Sequence, residues 1–172
     1  MNWPNRLTLI RIGMIPAYLL LMTGDLPWMR IAAAAVFFVA SLTDFLDGYI
    51  ARKYNQITNM GKFLDPIADK LLVLSALVWL AYERSVSPWL VIVVMAREFV
   101  VSGLRLVAAS KGDVLAAGTL GKIKTVSQMA LVMALTLGIR PLVPPLSWAV
   151  GLITLWSGAD YVYQNRHTLR EV

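Results

Sequence analysis

The sequence predicts an all-α, polytopic membrane protein: six transmembrane helices in one bundle, both termini cytoplasmic, forming a single domain over residues 1–172. Three observations carry that prediction. Charged residues make up only 15% of the chain, against roughly 25% in soluble domains. Hydrophobic residues reach 58% with a mean hydropathy of +0.65. The apolar residues also recur in runs of about 20, the length that crosses roughly 30 Å of hydrocarbon as a helix.

The spans expected from these runs are about 7–23, 28–50, 62–82, 87–108, 120–138 and 144–163. The first, "LTLIRIGMIPAYLLLMTG", follows Arg6 like the apolar stretch of a signal peptide. It has no small-x-small cleavage pattern, and Arg11 and Pro16 interrupt it, so it reads as a retained helix. "TGDLPW" at 23–28, "ERSVSP" at 83–88 and "GIRPLVPP" at 138–145 separate later spans with residues suited to turns.

Orientation follows from the sixteen Lys and Arg residues. Arg97 lies in mid-span, and only Arg30, Arg84 and Arg140 fall on the side away from the termini; the remaining cations share the side of the termini. The positive-inside rule makes that side cytoplasmic and puts Trp28, Trp89 and Trp148 near the outer interface, where indoles settle. The net charge of +6 therefore points to lipid headgroups and phosphate-bearing substrates rather than to nucleic acid. The absence of cysteine excludes disulfides, thiolate metal sites and a thiol nucleophile.

Four acids stand against this apolar background. Asp44 and Asp47 are three residues apart and Asp65 and Asp69 four apart, so each pair lines one face of its helix. With the second helix ending near Arg52 and the third starting near Gly61, Asp47 and Asp65 lie roughly 6–7 Å, and Asp44 and Asp69 roughly 12 Å, inside the cytoplasmic helix ends. Four ionised carboxylates at such depths need compensation. Structural ion pairs with Lys or Arg are one answer. A pair of hard divalent cations, Mg²⁺ or Mn²⁺, is the stronger one, because two metals clamp a phosphoryl group undergoing displacement. Gly48 and Ala51 form a small-residue shelf beside the acids, or else a close helix contact. Arg52 stands at the mouth, where a guanidinium binds phosphate bidentately, and Gly61 keeps the start of the third helix open. Together these describe a diphosphate site.

Asp44, Asp47, Gly48, Ala51, Arg52, Gly61, Asp65 and Asp69 match the pattern D-x2-D-G-x2-A-R-x8-G-x3-D-x3-D without departure. The chain thereby resembles the CDP-alcohol phosphatidyltransferases. The resemblance implies a six-helix membrane fold, commonly a homodimer, in the bacterial cytoplasmic membrane with the active site facing the cytoplasm. It implies two divalent ions on the four aspartates and the CDP moiety near Gly48, Ala51 and Arg52. The segments "NRLTLIRI", "ARE", "GLR" and "GKIKT" are similar to those of the branch that joins sn-glycerol 3-phosphate to CDP-diacylglycerol with release of CMP.

The acceptor side rests on the fourth and fifth helices. Arg97 and Glu98 are ionisable residues in mid-span, where such groups are functional by default. Arg105 lies about two turns further on, and Lys122 and Lys124 open the next helix at the same membrane side. These four cations are suited to surround an acceptor phosphate, with Glu98 supporting an arginine; for the lysines, topology signalling or headgroup contact is the competing account. Thr43 either lines the acceptor pocket or bonds back to its own helix. Asn5, Thr8 and Arg11 share a face of the first helix and either wall the nucleotide pocket or cap the helix, with Arg11 snorkelling to the headgroups.

The resemblance assigns Asp69 as the base that takes the acceptor hydroxyl proton, a role that competes with metal binding for the same lone pairs. Direct attack is favoured over a covalent phosphatidyl-enzyme, since no cysteine is present and the one histidine, His167, lies in the carboxy-terminal tail. Three alternatives stay open: another acceptor, such as an inositol phosphate or phosphatidylglycerol; a prenyl-transferring enzyme with an aspartate-rich motif; and a cation-coupled transporter. The prenyl motif leaves Gly-x2-Ala-Arg unexplained, and a transporter calls for broken helices and related halves that the sequence lacks.

Overall fold

The computed structural model describes the backbone of residues 3–53, 59–110 and 118–166 and, within these, the side chains of 8–43, 67, 68, 70–109 and 118–166. The regular elements of the described residues are all helical: α1 (Trp3–Met22), α2 (Pro27–Lys53), α3 (Asn59–Tyr82), α4 (Pro88–Ser110), α5 (Thr119–Thr136) and α6 (Val143–Gln164), with a 3₁₀ turn at Arg140–Leu142 before α6. These bounds fall within a few residues of the spans expected from hydropathy. The 3₁₀ turn was not anticipated; Pro141 enters it at its first turn, where a missing N–H leaves no bond unmade.

The turns follow from backbone chemistry. At the end of α3 the Ser85 N–H donates to the Leu80 carbonyl at 2.9 Å and the Arg84 N–H to Ala81 at 3.0 Å. At the end of α5 the Ile139 N–H donates to Ala134 at 2.8 Å and the Gly138 N–H to Leu135 at 3.1 Å. Both are Schellman caps, which require a left-handed residue just past the helix. Gly138 supplies it at φ 68°, and Arg84 at φ 59° supplies the other despite its side chain.

Helix direction is fixed by one ion pair. Arg30, near the start of α2, holds Glu83, just past the end of α3, with Nη2 at 3.0 and 3.1 Å from the two carboxylate oxygens, and Trp79 Nε1 adds a bond to Oε1 at 3.2 Å. Helices α2 and α3 are therefore antiparallel, and their aspartate-bearing ends share the opposite end of the bundle. Helix α1 packs on both, α5 and α4 pack on α6, and α2 also meets α5. Between them lies a core that includes Tyr18, Phe37, Leu77, Leu80, Leu131 and Val132. The Tyr18 and Thr136 hydroxyls bond at 2.9 Å inside it, tying α1 to α5.

Polarity runs inside out. Thr8, Arg11, Glu98, Lys124, Gln128 and Thr154 are buried. Large apolar side chains such as Leu20, Phe38, Phe99, Leu106, Leu152 and Trp156 point outward. Among the described residues, Arg140–Gln164 is long and apolar enough to cross a membrane, and the shorter apolar helical stretches Thr8–Met22, Pro27–Thr43 and Lys70–Tyr82 accompany it. Trp28, Trp89 and Trp148 are exposed near the starts of α2, α4 and α6.

Candidate active site

The motif aspartates occupy backbone positions at matched levels. Asp47 lies six residues before the end of α2 and Asp65 six after the start of α3; Asp44 and Asp69 lie nine and ten residues in. The levels are about 9 Å and 14–15 Å from the helix ends at 1.5 Å per residue. Both are deeper than the sequence suggested, because α2 continues to Lys53 and α3 begins at Asn59. The side-chain surroundings of Asn5, Asp44, Asp47, Gly48, Ala51, Arg52, Gly61, Asp65 and Asp69 lie outside the described residues, as does His167 altogether. The donor set, four carboxylates on two helix ends held at one end of the bundle, has the all-oxygen character that hard divalent cations take.

Next along the chain, α4, α5 and α6 enclose a polar cleft of about 510 Å³ whose lining includes Arg97, Arg105, residues 118–121, Ser157 and Tyr161. Arg105 is braced on α6: its Nε donates to the Tyr161 hydroxyl at 3.1 Å, and its guanidinium carbon lies 5.4 Å from the centroid of that ring. Arg97 is seated by two glycines. A Cβ at Gly158 would lie 3.1 Å from Arg97 Cγ, and one at Gly121 would lie 3.7 Å from Arg97 Nη2. The arginine thus crosses α6 where there is no side chain and aims its guanidinium at the first turn of α5.

That turn adds to the anion-binding character of the cleft. Helix α5 starts after Gly118, which has no side chain to cap it, and the Gly121 N–H donates to the Gly118 carbonyl at 3.0 Å; the positive end of the helix dipole at this turn favours an anion. Arg97 is only 11% exposed, and its Nε is buried without a hydrogen-bond partner among the described residues. A buried donor without a partner is costly, and a ligand oxygen would satisfy it. Arg97 also lines an apolar groove of about 700 Å³ between α4 and α6, together with Val93, Val100, Leu155 and Val162 among others.

Glu98 faces away from this cleft. Its carboxylate makes a short ion pair with Lys124 and contacts Arg97 Nη1 at 3.4 Å. Lys124 is 4% exposed and Glu98 6%, and a small pocket between α3, α4 and α5 holds them with Lys70 and Gln128. Lys70 Nζ donates to Ser102 Oγ at 2.6 Å, and Ser102 donates in turn to the Glu98 carbonyl at 2.5 Å. Of the four cations expected around one phosphate, Arg97 and Arg105 line the same cleft. Lys124 is turned into the bundle, and Lys122 is exposed.

Two other expectations have definite placements. The Thr43 hydroxyl donates to the Ala40 carbonyl at 2.7 Å, within its own helix. Thr8 and Arg11 are fully buried, so Arg11 faces the bundle interior and does not reach out to headgroups. Sequence reasoning missed Gly121, Gly158 and Tyr161. A glycine-flanked start to α5, "GTLG", was the available signal for the first; the other two have no local signature.

The family model described as CDP-alcohol phosphatidyltransferase matches residues 1–158. The chain belongs to the CDP-alcohol phosphatidyltransferase family. Curated members similar to it carry the name CDP-diacylglycerol–glycerol-3-phosphate 3-phosphatidyltransferase. The one from Bacillus subtilis (strain 168) is 44% identical, covering 98% of this chain and 97% of its own. Another from Rickettsia bellii (strain RML369-C) is 44% identical over 92% of this chain and 87% of its own. A third from Sodalis glossinidius (strain morsitans) is 35% identical over 99% and 98%.

Proposed function

We propose that the protein transfers the phosphatidyl group of CDP-diacylglycerol to the 1-hydroxyl of sn-glycerol 3-phosphate, releasing CMP and forming phosphatidylglycerol phosphate. The carrying observation is the near full-length similarity to relatives named for that reaction. The cleft supports it, because an uncapped helix start with two arginines, one holding a buried unused donor, suits an acceptor phosphate. The protein acts as a six-span homodimer in the bacterial cytoplasmic membrane, termini and active site toward the cytoplasm. The outward apolar surface and the Lys and Arg distribution support that topology.

Two divalent ions, Mg²⁺ or Mn²⁺, held by Asp44, Asp47, Asp65 and Asp69, would neutralise the diphosphate when bound. Arg52, with Gly48, Ala51 and Gly61 leaving room, holds the nucleotide end of CDP-diacylglycerol. Arg97 and Arg105 hold the acceptor phosphate and so orient the hydroxyl. Asp69 accepts the hydroxyl proton as the new P–O bond forms and the bond to CMP breaks, with the electron pair leaving on CMP.

The test is CMP release by purified protein from CDP-diacylglycerol with a panel of acceptors, with and without each metal. Glycerol 3-phosphate should be the acceptor that drives release; release driven only by another alcohol overturns the assignment. Asp69→Asn should lower turnover by about 10³-fold or more, the upper range for a lost general base, with CDP-diacylglycerol binding retained. Loss of binding as well would make Asp69 chiefly a metal ligand.

A further inference from the structure

At the end of the bundle opposite the aspartates lies a second polar cleft, of about 620 Å³, lined by Arg30, Arg84, Ser85, Leu135, Gly138, Arg140, Val143 and Pro144. Arg30 and Asp44 are on one helix, about 21 Å apart at 1.5 Å per residue, so this cleft and the motif do not share a ligand. In the proposed orientation Arg30, Arg84 and Arg140 are, among the described residues, the cations of the non-cytoplasmic side. Each of them runs against the charge bias of such proteins, and all three line one cleft.

Their chemistry is uneven in an informative way. Arg30 is committed to Glu83 through two oxygens. Arg84 and Arg140 are exposed, and among the described residues neither guanidinium has an ion-pair or side-chain hydrogen-bond partner. Arg84 also occupies a left-handed cap position at φ 59°, which disfavours any residue with a Cβ. At the equivalent cap of α5, on the same cleft, the chain uses Gly138. A strained arginine where glycine serves next door is an outlier of the kind found where a side chain is required.

We infer that this cleft binds a phosphate group through Arg84 and Arg140, with Arg30, held in place by Glu83, as its fixed wall. The exposed Trp28, Trp89 and Trp148 at the starts of α2, α4 and α6 put this end at the level where indoles meet a membrane interface. An anionic phospholipid headgroup therefore reaches the cleft as readily as a soluble phosphate. Guanidinium forks bind the phosphate of either source.

The chain has no cysteine, so Ser85→Cys places one thiol in the cleft lining, and its alkylation rate by a maleimide reports occupancy. The measurement uses full-length protein in neutral detergent with added phosphatidylglycerol, phosphatidylcholine or inorganic phosphate. It requires no turnover and no sidedness, so it stands or falls separately from the transferase assignment. Phosphatidylglycerol should slow alkylation about tenfold relative to phosphatidylcholine, the scale of two exposed charge contacts. Arg84→Gln with Arg140→Gln should remove the slowing while the protein stays folded, as thermal unfolding in detergent reports. If that pair fails to fold, Arg140→Gln alone should reduce the slowing. Slowing by phosphatidylglycerol but not by inorganic phosphate assigns a lipid headgroup, and slowing by both assigns the phosphate itself. Equal alkylation with every addition, or equal slowing in the arginine variants, overturns the inference. So does conversion of the wild-type oligomer to monomer by the two substitutions, which would assign the arginines to a partner chain.

Discussion

The two faces of α4 use adjacent residues for opposite purposes. On one face Glu98 and Lys124 are buried and engaged with each other. On the other, Arg97, although its Nη1 contacts Glu98 at 3.4 Å, keeps a buried Nε without a partner among the described residues and lines an open cleft with Arg105. Charge alone does not separate these roles, since both faces carry cations inside an apolar bundle. What separates them is satisfaction: a closed pair holds helices together, and an arginine with donors to spare is ready for a ligand.

That contrast is breakable in steps. The largest effect should come from Glu98→Ala, which leaves the buried Lys124 without this carboxylate and should destabilise the protein by about 3 kcal/mol or more, the usual result of halving a buried pair. Thermal unfolding in detergent measures it, and an unfolding temperature unchanged from wild type would remove the structural role. Arg97→Ala should lower kcat/KM for glycerol 3-phosphate about 100-fold, roughly 2.7 kcal/mol, with the KM for CDP-diacylglycerol unchanged. An equal loss for both substrates would move Arg97 out of the acceptor site. Gly158→Ala presses a Cβ to 3.1 Å from Arg97 Cγ; the flexible shaft gives way, so the KM for glycerol 3-phosphate should rise about three- to tenfold, on the order of 1 kcal/mol. Lys122→Ala, on an exposed side chain, should change that KM less than about twofold.

The helices were legible because their ends carry explicit chemistry: Pro27 and Pro88 open helices and Gly138 closes one. The motif positions were legible as a spacing, and their backbone levels emerge about one residue or two deeper than expected. The lysines were less so. Residues two apart on a helix do not face one another, and burial puts Lys124 against Glu98 while Lys122 is exposed. Arg84 was hidden because its left-handed cap is a place where glycine is expected. Gly158 was hidden because a missing Cβ matters only in view of what fills its place, here an arginine from another helix.

The shaft of Arg97 is also a shared wall. Polar cleft and apolar groove both count Arg97 in their linings, and its methylenes pack where Gly158 has no side chain. Arg97→Ala therefore removes a wall as well as a charge, whereas Arg97→Met keeps the wall and loses only the cation. The difference between those two variants is the measure of how much of the Arg97 effect is packing.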